Sequence, residues 1–158
     1  MFAQLDQCAY LDLAGVTEPR TNSLRLVVEE MQIGFESEEL EMDGVNFGRS
    51  RKIEHTPSCR TFEITWDTYI AYAVVNESYA RVKDGETYEG RLVRVYSKSD
   101  FLDHIRRDTF ADEKYPGPFK HIALVCMHHI VDVISVSEPR VRLTKAGQPR
   151  VVPERPGR

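Results

Sequence analysis

In RTFEITW, residues 60–66, the apolar Phe62, Ile64 and Trp66 alternate with Thr61, Glu63 and Thr65. This period of two constrains the chain more than any other feature, because it puts every second side chain on a dry face and the others on a wet one. The same parity runs on through Ile70, Tyr72 and Val74, while Tyr69, Ala71, Ala73 and Val75 make the second face apolar as well. That predicts a central strand covered on both sides. HIALVCM and IVDVISV read as two further buried strands, with RVRL a shorter one beyond the break at SEP.

Turn chemistry joins the strands. Asp-Gly supplies the positive φ angles of a tight hairpin, so YARVKDGETYEGRLVRVYS predicts one at Asp84-Gly85 and ELEMDGVNF another at Asp43-Gly44. One helix stands out in SKSDFLDHIRRDTF: Ser97 or Ser99 caps it, Phe101, Leu102 and Ile105 form its apolar stripe, and Arg106 and Arg107 suit its C-terminal end. Pro116, Gly117 and Pro118 stop it. FAQLDQCAYLDLAG reads as a short second helix ending at Gly15. The expected fold is α+β: a mainly antiparallel, strongly curved sheet or partial barrel with one or two packed helices.

At 158 residues the chain can bury about two-thirds of its unfolded surface in one core. Residues 1–143 are expected to form a single domain, and the Pro- and Arg-rich residues 144–158 an extended arm. No run is long enough for a bilayer span, and Asp6 and Asp12 interrupt any secretory signal, so the expectation is a cytoplasmic protein without a membrane partner. Cys8, Cys59 and Cys126 are too scattered for a disulfide framework or zinc motif and read as reduced thiols.

The net charge of −4 is unevenly spread. Residues 1–47 hold ten acids against Arg20 and Arg25, whereas the last 21 residues hold six bases against Glu138 and Glu154. A concentrated basic face is missing, so nucleic acid is not an expected partner.

His128 and His129 interrupt the apolar run from His121 to Ser135. Adjacent strand residues point to opposite faces, so the pair fits a turn between two buried strands better than a metal site, and no spacing announces further ligands. Cys126 with His128 could form a nucleophilic couple, but Leu124, Val125 and Met127 deny the thiol an electropositive setting. No phosphate-cradling glycine loop, nucleophile elbow or HExxH is present, no cofactor or metal is implied, and no catalytic residue is identified.

Two functional readings remain. The leading one is a small bacterial, noncatalytic protein-interaction module that neutralises or regulates a partner through its acidic N-terminal region, with self-association through the C-terminal arm as a variant. The alternative is a small-molecule binder or enzyme with an aromatic-walled pocket. Its candidate ligand-binding residues are Trp66, Tyr69, Tyr72, Asn76, Glu77, His104, His121 and His129. It predicts a cavity lined by Trp66 and a tyrosine, with a histidine acid/base or metal ligand at the mouth. The leading reading predicts instead a closed interior in which Cys126, His121 and His129 share no solvent-filled hollow.

Overall fold

A computed structural model of the chain describes residues 2–81 and 83–149. After one helical turn, α1 (Ala3–Asp6), come β1 (Tyr10–Thr17), β2 (Leu24–Met42), β3 (Val45–Glu54) and β4 (Thr61–Trp66). There follow β5 (Ala71–Asn76), β6 (Thr87–Glu89), β7 (Val93–Lys98), helix α2 (Asp100–Asp108), β8 (Lys120–Val125), β9 (His129–Ser135) and β10 (Arg140–Lys145). Two open antiparallel sheets result. One has the order β1-β2-β4-β10, with β3 along the far half of β2, and the other β5-β9-β8-β7-β6. The expected partial barrel is therefore corrected to two separate sheets. Among the described residues, no helix is long and apolar enough to cross a membrane.

The period of two builds the core between the sheets. Leu24, Leu26, Val28, Phe62, Ile64 and Trp66 meet Val93, Ile122, Leu124, Val131 and Val133, all essentially inaccessible. Each large side chain contributes about 1.5–3 kcal/mol by leaving water. A second cluster lies on the other face of the second sheet, where Leu102 and Ile105 of α2 pack with Phe119 and Ile134.

Local signals were obeyed where nothing distant competed. Met42 pairs with Val45 across Asp43 (φ 53) and Gly44 (φ 75), the two-residue hairpin that Asp-Gly predicts. Ser99 caps α2, its Oγ accepting the Leu102 N–H at 3.1 Å. His128 lies in the turn between β8 and β9, where the Cys126 N–H donates to the His129 carbonyl at 2.8 Å.

Three expectations are overturned. Among the described residues no hairpin pairs across Asp84-Gly85; β6 pairs with β7 instead, and the chain turns at Gly90 (φ 93). The cause is distant: the Asp6 carboxylate accepts the Arg91, Leu92 and Val93 N–H groups at 3.2, 2.7 and 3.0 Å, fixing that turn. The N-terminal helix stops at Asp6, and Gly15 sits inside β1, because pairing with β2 outweighs the helical pattern. The central strand expected from residue 61 to 75 splits. β4 belongs to the first sheet, and β5 is an edge of the second, paired among the described residues with β9. Ser135 and Ser137 hydroxyls hold the Thr68 carbonyl at 2.6 and 3.1 Å and fix the crossover.

β10 runs to Lys145, and the Gln148 N–H donates to the Pro57 carbonyl at 2.9 Å. Residues 150–158 of the C-terminal arm lie outside the described residues.

Candidate functional site

The sequence-nominated residues separate into four places. His121 is buried on β8 beneath α2. Its Nδ1 lies 2.7 Å from Ser99 Oγ and its Nε2 2.8 Å from Asp132 Oδ1. Tyr96 stacks on the ring at 4.3 Å, and Phe101 meets it edge-on at 5.5 Å. Serine, histidine and aspartate in hydrogen-bonded series are the parts of a nucleophile relay. Here, however, Ser99 is 1 % exposed and its oxygen is already occupied by the helix cap. The series therefore anchors α2 to the sheet. His104 lies across Phe101 on the exposed side of α2, its Nδ1 2.9 Å from Asp108 Oδ2 and 3.2 Å from Arg107 Nη2.

Tyr69 and Tyr72 meet edge-to-face at 5.0 Å, and both hydroxyls donate to Glu18 Oε1, at 2.5 and 3.4 Å. The hydrogen bond to Glu18 and burial push the Tyr69 phenol up to about 12. Asn76 caps the turn at Glu77–Tyr79 through the Ser78 N–H, and the Glu77 N–H donates to the His128 carbonyl. His129 pairs with Asn76 in register. Trp66 stands apart in the core.

His121 and His129 share sequence parity yet face opposite ways. His121 lies opposite Ile134 on the α2 side, whereas His129 starts the strand whose Val131 and Val133 enter the inter-sheet core. The turn between the strands inverts the alternation. Cys126 lies in the core, where burial pushes its thiol up to about 12. Among the described residues, no three His, Cys, Asp or Glu side chains are grouped to hold a metal ion. A groove of about 680 Å³ is lined by Trp66 but rimmed by arginines, not by the tyrosine and histidine expected of an aromatic pocket.

A different surface emerges from β2 and β3. β1 pairs with β2 only as far as Met31, and β4 only as far as Glu29. Among the described residues the ladder partner of β2 from Gln32 to Met42 is β3, and the pair forms a ribbon of roughly 35 Å. At its tip Met42 faces Val45, and Leu40 and Phe47 stand two positions further along their strands, where the register shifts between Glu39 and Glu41. These four side chains are 64, 55, 51 and 61 % exposed in that order. Six acids, Glu36, Glu38, Glu39, Glu41, Asp43 and Glu54, meet Arg49, Arg51 and Lys52 along the ribbon, a net of −3. Glu38 holds Lys52 at 2.9 Å, the ion pair that the described residues close within the ribbon. The sequence showed the acids and the hairpin. The apolar tip was missed, although Leu40, Met42, Val45 and Phe47 stand two apart on either side of the turn, a readable signal once the strands are known to outrun the sheet.

No protein-family model, curated protein or solved structure matches the chain.

Proposed function

We propose that the chain is a cytoplasmic, noncatalytic protein-interaction module, which inserts the tip of the β2–β3 ribbon into an apolar cleft rimmed by Lys and Arg on a partner and thereby blocks or regulates it. The observation that carries this reading is the group of exposed apolar side chains, Leu40, Met42, Val45 and Phe47, at the tip of the β2–β3 ribbon. Two-stranded ribbons are marginal in water, and grouped apolar side chains at such a place mark contact surfaces. Completing the burial of four half-exposed side chains contributes about 4 kcal/mol in total. Association costs at least that much, so the acidic rim must supply the remainder. The interaction is accordingly salt-sensitive and selective for a basic partner.

Symmetric self-pairing through the ribbon is disfavoured. A two-fold axis would set the glutamates of β2 against their own copies, or Arg49 and Arg51 of β3 against theirs. Self-association through the C-terminal arm is a separate variant, and an unchanged solution mass after deleting the residues beyond Leu143 counts against it.

The test uses the intact chain and a Leu40→Ser/Phe47→Ser double variant as baits, followed by purification of any retained protein and measurement of its association rate. The proposal expects a partner held by the unmodified chain and released by the variant, with an on-rate falling about tenfold or more between low and high salt. Equal retention by both baits, or an on-rate indifferent to salt, overturns it.

A further inference from the structure

β5 is an edge of the second sheet, paired among the described residues with β9. The direction of its backbone groups follows from the register. The Glu77 N–H donates to the His128 carbonyl at 3.0 Å, which continues the β5–β9 ladder, and in such a ladder bonded and non-bonded pairs alternate. Val75, Ala73 and Ala71 therefore exchange bonds with β9, while the N–H and C=O groups of Tyr72, Val74 and Asn76 point away from the sheet. Ala71–Asn76 pairs without a register shift, so this edge is a regular template for another strand.

The remaining edges each carry a device that discourages such pairing: shortness, charge or a bulge. β6 is 3 residues long and ends in Glu89. β10 carries Arg140, Arg142 and Lys145, with a register shift between Leu143 and Lys145. β1 carries Asp12 and shifts register between Leu13 and Gly15. The ribbon strands carry Glu38, Glu39 and Glu41 on β2 and Arg49, Arg51 and Lys52 on β3. β5 holds no charged residue, and its Val74 and Val75, on opposite faces of the strand, are 43 and 39 % exposed.

We propose that β5 pairs antiparallel with β5 of a second copy about a two-fold axis, joining the second sheets of two chains into one. The outward groups select the register. Val74 opposite the partner's Val74, and Tyr72 opposite the partner's Asn76, form the bonded pairs, each exchanging N–H and C=O across the axis. Ala73 then faces the partner's Val75, so both exposed valines are covered and no charges of β5 are set against each other. The contact is smaller than a standard interface, and a dissociation constant on the order of 100 μM is expected. Being uncharged, it is insensitive to salt, which separates it from docking through the β2–β3 ribbon. Failure of either leaves the other standing.

Sedimentation of the intact chain from about 1 μM to about 1 mM tests this. The average mass is expected to rise from that of one chain toward that of two, alike at low and high salt and alike in Leu40→Ser/Phe47→Ser. Val74→Lys opposes two cations at the axis and is expected to weaken the dimer about tenfold or more. The unmodified chain supplies a readout that needs no variant. In residue-resolved amide exchange the Tyr72, Val74 and Asn76 N–H groups should slow as concentration rises, whereas those of Ala71, Ala73 and Val75 are protected throughout. A constant single-chain mass, a dimer that salt dissolves or that is as stable in Val74→Lys, or outward amides whose exchange ignores concentration overturns the proposal.

Discussion

Ser99 Oγ lies 2.7 Å from His121 Nδ1 and also accepts the Leu102 N–H at 3.1 Å, so one hydroxyl closes the start of α2 and fixes a buried imidazole on β8. Asp132 is an acceptor and takes Nε2–H, so in the neutral tautomer Nδ1 accepts the Ser99 hydroxyl proton while the Ser99 oxygen still accepts the Leu102 N–H. Ser99→Ala removes the cap and strands the ring nitrogen, and is expected to cost about 1–3 kcal/mol in urea unfolding. A loss no larger than that of an ordinary surface substitution contradicts the anchoring role.

Glu30 is buried and receives the Arg60 guanidinium at 2.8 Å on Oε2 and 3.2 Å on Oε1, with the Arg60 backbone N–H also at 3.2 Å. Burial pushes its carboxyl up, but the side-chain and backbone bonds from Arg60 outweigh that and hold it below the usual carboxylate range. A carboxyl depressed in the folded state contributes stability that is complete above the unfolded value and is lost as pH falls through the folded one. Arg60→Met is expected to cost about 3–5 kcal/mol at neutral pH and to shrink the stability lost on acidification. Unfolding curves at neutral and acidic pH decide it: an unchanged acid dependence in the variant assigns that limb to other groups.

Burial is expected to keep the Cys8 and Cys126 thiols unreactive in the folded chain. Burial, and then the Glu30 charge, push Cys8 up to about 11 despite the Arg60 guanidinium at 3.2 Å, and burial pushes Cys126 up to about 12. Ellman's reagent at mildly alkaline pH should leave both unmodified until denaturant is added, when all 3 cysteines react. Rapid native-state labelling of Cys126 contradicts the closed interior.

Leu40→Ser/Phe47→Ser should leave the sandwich intact, since both side chains are more than half exposed. Surface changes of this kind stay within about 0.5 kcal/mol each, whereas Phe62→Ala in the core costs about 3–5 kcal/mol. Thermal unfolding separates them. A ribbon variant that melts as early as the core variant shows that the tip packs on the body.

Some of this was legible in the residues alone. Asp43-Gly44 and Ser99 act on neighbours a few positions away, and both did what their chemistry dictates. Asp84-Gly85 carries the same turn signal and failed, because Asp6, remote in sequence, fixes the competing turn at residues 90–93. The alternation from Phe62 to Val75 located buried faces but could not show that the chain changes sheets after Trp66. The His121 surroundings draw on β7, α2, β8 and β9, and no spacing within one element announces such an assembly. The apolar tip became meaningful only when β2 proved to outrun both β1 and β4.

The ribbon's role is tested most directly by placing a photo-crosslinking phenylalanine analogue at Phe47 in the source cells, with the same group at exposed Lys98 as control. One discrete protein adduct at Phe47, absent at Lys98 and lost when Glu39 and Glu41 are changed to Gln, is the predicted result. No adduct at Phe47, or the same adducts from both positions, contradicts a docking role for the β2–β3 tip.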